Sequence, residues 1–265
     1  MQLIRVSSYE ELSRKAADII SAQVILKPGC VLGLATGSTP VGTYRQLIER
    51  FRRGDLDFSR VTAFNLDEYL GISPEHPQSY HAFMQEQLFR HINICPRRCH
   101  VPEGCAEDPR AFARAYDQAI AEHGGIDLQL LGIGNNGHIA FNEPGSSLTS
   151  RTRMKTLTQD TIIANSRFFG GDVNQVPKTA LTVGVGTVCD AREVLLIVNG
   201  HNKARALQHG VEGAVSQMWT ISALQLHPHA IIVADDDACA ELKVATYRYF
   251  KDIERDNLDP DSLLK

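Results

Sequence analysis

Short apolar runs rich in β-branched residues alternate along this chain with segments of helical period, and that alternation most narrows the folds open to it. The runs are CVLGLA from Cys30, VTAFNL from Val61, IDLQLLGI from Ile126, EVLLIV from Glu193 and AIIVAD from Ala230. Each is apolar at consecutive positions, so both of its faces are expected to be buried. Between them lie VGTYRQLIERFRR, SYHAFMQEQLFRHI, DPRAFARAYDQAIAEHG and KARALQHGV, and the chain closes on ELKVATYRYFKDIERDN. Ser8 and Glu11 form an S-x-x-E capping box ahead of Leu12, Ala16, Ile19 and Ile20, which predicts an opening helix. The first strand is then placed at CVLGLA. Strands alternating with helices in this way give an α/β fold, a mostly parallel sheet wrapped by helices.

A chain of 265 residues with 43% hydrophobic content can bury one substantial core. No repeat, low-complexity tract or long linker divides it, so one domain over 1–265 is expected. The formal net charge of −4 speaks against nucleic acid as a partner, because phosphate backbones are bound by basic surfaces. No apolar run is long enough to cross a bilayer, and the opening residues lack the order of a secretion signal. A cytoplasmic enzyme without a membrane partner is the expectation. Cys30, Cys95, Cys99, Cys105, Cys189 and Cys239 are scattered, which reads as free thiols. CPRRCHVPEGC includes His100, but zinc sites pair such cysteines with a second set elsewhere, and none exists; no metal is expected.

In open parallel sheets, ligands bind beyond the carboxyl ends of the strands. Here CVLGLA releases TGSTP, VTAFN releases LDEYLG, IDLQLL releases GIGNNGHIAFNEP, and EVLLIV releases NGHNK. Four polar, mostly glycine-containing segments therefore leave the same edge and face one crevice. TGSTP, leading into a helix, has the form of an anion cradle of free backbone N–H groups and hydroxyls; a plain turn with Thr39 capping the next helix is the simpler alternative. It matches neither dinucleotide nor nucleoside-triphosphate fingerprints. Lys203 and Arg167 would supply countercharge, although each alone also reads as a solvated surface charge. Asp67 and Glu68 follow an apolar strand, and His138 stands five residues before Glu143 in a glycine-rounded loop. Histidine is the usual proton carrier near neutrality. In one pocket with two carboxylates and a phosphate cradle, it points to acid–base chemistry on a small phosphorylated metabolite, without a cofactor. From Ser146 to about Val183 the alternation lapses into an excursion containing SRTRMK and the helix-like DTIIANSRFF, which reads either as a lid or binding segment or as a packed surface insertion.

LGLATGSTP, FNLDEYLGISPEHPQSY, GIGNNGHIAFNEPGSSLTSRTRMKTLT, NSRFF, ALTVGVGT and MWTISALQLHP together closely resemble the glucosamine-6-phosphate deaminase (isomerising) family, nearly end to end. The resemblance implies a Rossmann-like sheet with helices on both faces, conversion of glucosamine 6-phosphate and water to fructose 6-phosphate and ammonia, no cofactor, and a homo-hexamer. It implies that Asp67 is the base that carries a proton between C2 and C1, that His138 protonates the ring oxygen, and that Glu143 supports it. Gly37, Ser38, Thr39, Arg167 and Lys203 match positions that hold the phosphate. Asn136 departs from the common aspartate: a carboxylate there would raise the histidine's proton affinity, whereas an amide orients the ring without adding charge. Ser146, Arg153, Lys155, Thr156 and Tyr249 match an effector site for N-acetylglucosamine 6-phosphate between subunits, which makes the excursion a lid and effector segment. A rival of similar loop pattern, 6-phosphogluconolactonase, has no need of an enolising carboxylate in NLDEY. A sugar-phosphate-sensing regulator would need a helix-turn-helix module, for which the stretch before the first expected strand has no room.

Overall fold

The computed structural model describes residues 1–257. In chain order its elements are β1 (Gln2–Val6), α1 (Tyr9–Leu26), β2 (Val31–Leu34), α2 (Val41–Arg52), β3 (Thr62–Asn65), β4 (Asp67–Tyr69) and α3 (Tyr80–Gln87). They continue with β5 (Cys99–His100), α4 (Pro109–Glu122), β6 (Leu128–Leu131), β7 (Arg153–Thr156), α5 (Gln159–Ser166), β8 (Thr179–Thr182) and α6 (Val185–Cys189). The last are β9 (Glu193–Val198), α7 (Ala204–Val211), β10 (Ala230–Asp235) and α8 (Val244–Asn257).

Seven strands form one sheet in the order β1-β10-β9-β6-β2-β3-β5, and every pairing in it is parallel. β2, β3 and β6 are buried at every residue. Since successive side chains point to opposite faces, both faces are covered by helices. The fold is thus the Rossmann-like α/β arrangement expected. Its core comes from residues such as Leu32, Leu34, Leu130, Leu131 and the Val194–Val198 run. Winding proceeds from β2 outward to β3, while β6 lies on the other side of β2 and leads to β9. The β2/β6 boundary is therefore the switch point, where loops diverge and leave a crevice.

The capping box holds at α1: the Ser8 side chain accepts from the Glu11 N–H, while the Glu11 carboxylate reaches back to the N–H and hydroxyl of Ser7. Leu12, Ala16 and Ile20 are buried, whereas Ile19 is only partly so.

Several expectations need correction. The first strand is not CVLGLA but β1, which pairs with β10 at the sheet edge. Its charged Arg5 faces outward onto Asp236 and the Tyr247 ring, so the segment lacks the continuous apolar signature of a central strand. Asp67 and Glu68 do not trail off β3. The chain turns at Leu66 and forms β4, which pairs antiparallel with β8; β8 pairs in turn with β7 to complete a second, three-stranded sheet. The excursion is thus built around strands as well as a helix. The SYHAFMQEQLFRHI segment stops being α-helical at Leu88 and continues as a short 3₁₀ turn. CPRRCH is partly structural: Cys99 and His100 form the edge strand β5. All six cysteines are free.

Candidate active site

A cleft of about 550 Å³ opens at the switch point, and all four polar segments line it. The β2 loop brings Gly37, Ser38 and Thr39; the Asp67 end of β4 faces them; the β6 loop brings Asn136 and His138; the β9 loop brings Lys203; Arg167 enters from the end of α5. Glu143 lies behind His138, 1% exposed. The candidate catalytic and phosphate-binding positions are therefore neighbours.

Loop-to-loop hydrogen bonds fix this arrangement. The Thr39 hydroxyl donates to Asn199 Oδ1 at 2.8 Å, and Asn202 Nδ2 donates to Asn135 Oδ1 at 3.2 Å. Asp235, at the end of β10, accepts the Gly200 N–H. The Tyr9 hydroxyl of α1 shares its one hydrogen between the Ser38 and Thr39 carbonyls and accepts from the Gly42 N–H. Thr39 does not cap α2, whose first turn has no side-chain cap. The turn from Gly37 to Thr39 lines the cleft instead, as an anion cradle ahead of a helix would.

His138 is oriented through Glu143. The Glu143 Oε2 atom accepts from His138 Nδ1 at 3.2 Å and from Asn136 Nδ2 at 2.8 Å, and its Oε1 accepts from the Thr158 N–H at 3.3 Å. With Nδ1 committed to the carboxylate, Nε2 is the ring atom left to exchange a proton with a ligand. Burial pushes the Glu143 carboxyl up, but the hydrogen bond and charge of His138, with help from Thr161 and Asn136, outweigh it and hold it at about 2. Asn136 makes no direct hydrogen bond to the imidazole among the described residues. Its Oδ1 accepts the His138 backbone N–H and its amide anchors Glu143, so it acts on the ring at one remove. Two glycines make the geometry feasible. A Cβ on Gly134 would lie 2.4 Å from the His138 ring, and Gly137, at φ +78°, would press a Cβ against the Trp219 ring. Ala140 holds a left-handed backbone at φ +48°, a strained conformation for a residue with a Cβ.

Burial, and then the negative charge of Glu68, push the Asp67 carboxyl up to about 8. Glu68 itself is turned away from the cleft: it accepts the N–H groups of Tyr69, Tyr80 and His81 and so caps α3. Burial and the nearby Arg167 guanidinium lower the Lys203 ammonium to about 8. Arg167 packs over the Phe168 ring, 4.7 Å from its centroid.

The candidate effector residues lie outside the cleft. Ser146 follows the Glu143 turn and is buried, with no partner for its hydroxyl. Arg153 reaches Asn142 Oδ1 at 2.9 Å, and Lys155 and Thr156 continue along β7. Burial and Arg153 lower the Lys155 ammonium. Tyr249 is not brought to them within the chain; it is exposed on α8, which packs against β1. Sequence reasoning missed Asn199, Asn202, Thr158 and Thr161. Only the sheet order reveals that an asparagine after β9 faces a threonine after β2, and NGHNK alone carried that hint. Among the described residues no group of three or more potential metal ligands occurs, and no helix is long and apolar enough to cross a membrane.

A parallel sheet carrying an anion cradle, a buried carboxylic acid and a histidine–glutamate pair at its switch point defines a class of sugar-phosphate enzymes. The model of the family glucosamine-6-phosphate isomerases/6-phosphogluconolactonase matches residues 7–237, and the chain belongs to that family. It is 59% identical to a glucosamine-6-phosphate deaminase of Parabacteroides distasonis over 100% of both chains. It is 60% identical to one of Porphyromonas gingivalis, over 97% of this chain and 100% of the relative. A solved glucosamine-6-phosphate deaminase described as monomeric superposes with a TM-score of 0.89 at 44% identity, covering 91% of this chain and 99% of its own.

Proposed function

We propose that the chain catalyses the isomerising deamination of glucosamine 6-phosphate with water to fructose 6-phosphate and ammonia. The observation that carries this reading is that a buried carboxylic acid, a histidine held by a buried glutamate, and a glycine–serine–threonine turn meet at one cleft. Whole-length identity to relatives of that name supports it. Gly37, Ser38, Thr39, Arg167 and Lys203 hold the phosphate and thereby fix C1 and C2 near the proton-transfer groups. His138, positioned by Glu143 and Asn136, protonates the ring oxygen as the sugar opens. Asp67 moves a proton between C2 and C1 during enolisation; a pKa of about 8 is well matched to a group that must take up a proton and return it near neutral pH. Water then adds to the C2 imine that results, and ammonia departs from the carbinolamine to give the ketose.

The test is to follow ammonia and fructose 6-phosphate together from glucosamine 6-phosphate, beside Asp67→Asn. Equimolar products, with kcat lowered by roughly 10²–10⁴ in the variant, are expected. Absence of both products from the folded wild-type protein overturns the proposal.

The proposal extends to regulation, assembly and place. Ser146, Arg153, Lys155, Thr156 and Tyr249 bind N-acetylglucosamine 6-phosphate between subunits of a cytoplasmic homo-hexamer. The basic strand β7 and the unpartnered Ser146 hydroxyl support an anionic ligand there; the solved relative described as monomeric makes the assembly the first thing to weigh. Sigmoidal kinetics made hyperbolic by that effector are expected, with a hexamer by light scattering. Hyperbolic kinetics insensitive to the effector would rule regulation out.

A further inference from the structure

Asn199 stands in the cleft wall between the phosphate cradle and Lys203, in a turn that no family motif singled out. Its backbone turn is held from below, since the adjoining Gly200 N–H is tied to the Asp235 carboxylate. Its Oδ1 accepts the Thr39 hydroxyl at 2.8 Å. That bond has a chemical consequence. A hydroxyl carries one hydrogen, and the one on Thr39 is committed to Asn199, so toward an anion Thr39 has only its backbone N–H to give. The two hydrogens on Asn199 Nδ2 have no acceptor among the described residues, although the residue lines the cleft. A primary amide whose oxygen is anchored and whose nitrogen is free is a preorganised donor.

We propose that Asn199 is a phosphate-binding residue: its oxygen anchors the Thr39 turn and its Nδ2 donates to the substrate phosphate beside Lys203. The inference rests on the reading of the cleft as a sugar-phosphate site. Asn199 thereby sets selectivity for a phosphorylated over an unphosphorylated sugar and takes no part in proton transfer.

Calorimetric titration with inorganic phosphate, joined to steady-state kinetics with glucosamine 6-phosphate, tests it on three proteins of checked fold. Asn199→Ala is expected to weaken phosphate binding and raise KM by about tenfold, a loss of the size expected for a hydrogen bond to a charged group, with kcat held within about twofold. Thr39→Val cuts the same tether but leaves the amide and the Thr39 backbone N–H, and is expected to weaken binding by less than Asn199→Ala does. Should the alanine variant fail to fold, Asn199→Leu keeps the branched shape of the side chain while removing the donor, and takes its place with the same expectation. Equal losses in the Asn199 and Thr39 variants would make Asn199 a tether only and overturn the assignment, as would a loss confined to kcat. Wild-type protein that binds phosphate while the Asn199 variant binds equally well removes this inference alone. Wild-type protein that neither binds phosphate nor turns over the sugar removes the sugar-phosphate reading and this inference with it.

Discussion

Two buried groups of opposite sign titrate at nearly the same pH in this cleft, and the proposed reaction uses each in its charged form. As the proposed base, Asp67 must be ionised to accept a proton, and as a proposed phosphate ligand Lys203 must be protonated; both lie at about 8. Because kcat/KM follows the ionisations of the free enzyme, it should rise with pH as Asp67 ionises and fall as Lys203 loses its proton, a narrow bell centred near pH 8. In Lys203→Arg the guanidinium stays charged, so the alkaline limb should vanish while the acid limb stays. A pH–rate profile of both proteins checks this, and an alkaline limb persisting in the variant would assign it elsewhere. At this scale the site was legible wherever loops carry unusual residues together, as in GIGNNGHIAFNEP. Asn199 was not, because an asparagine in a turn is common and only its partner makes it distinctive.

The secondary-structure elements divide by how their signals arise. β2, β3, β6, β9 and β10 were legible as continuous apolar runs, because both of their faces are covered. β4 was not: three residues reading DEY have no apolar period, and their strand exists because β8 offers a ladder and the carboxylate of Glu68 meets the start of α3. β7, with its exposed and half-buried residues alternating, reads locally as a basic loop. Glu68 is the joint between elements, accepting three backbone N–H groups at 2.9–3.0 Å. Glu68→Gln turns an amide N–H toward at least one of those donors and should destabilise the fold by about 1–3 kcal/mol, measurable by urea unfolding. It also removes the negative charge that helps raise Asp67, so the acid limb of the rate profile should move to lower pH. An unchanged unfolding midpoint would show that water replaces the cap.

For the molecule as a whole, the candidate base is a source of instability. Asp67 is raised from 3.8 to about 8, so the folded state binds its proton more tightly than the unfolded chain does. The stability tied to the neutral form is fully present below about pH 4 and is lost as pH rises through 8. Asp67→Asn keeps a neutral group there at every pH. It should match the wild-type stability near pH 4 and exceed it by a margin that grows up to about pH 8, on the order of a few kcal/mol there. Thermal melts across that range decide it; a constant difference would mean that the gain is unrelated to ionisation. Stability given up where chemistry is done is a common pattern. The overall architecture was legible from alternation alone. The second sheet was not, because it joins segments far apart in the chain, residues 67–69 with 153–156 and 179–182.

In that second sheet one residue is shared by three others. Thr182 of β8 lies opposite Asp67 on one side and Arg153 on the other, and its hydroxyl accepts the Phe141 N–H at 3.0 Å. Residues with a common partner do not contribute independently. Substitutions at 67 and 153 are therefore expected to couple through position 182, and a substitution at 182 also takes the acceptor from the Phe141 backbone N–H. A library that varies positions 67, 153 and 182 one at a time will misjudge what they tolerate together.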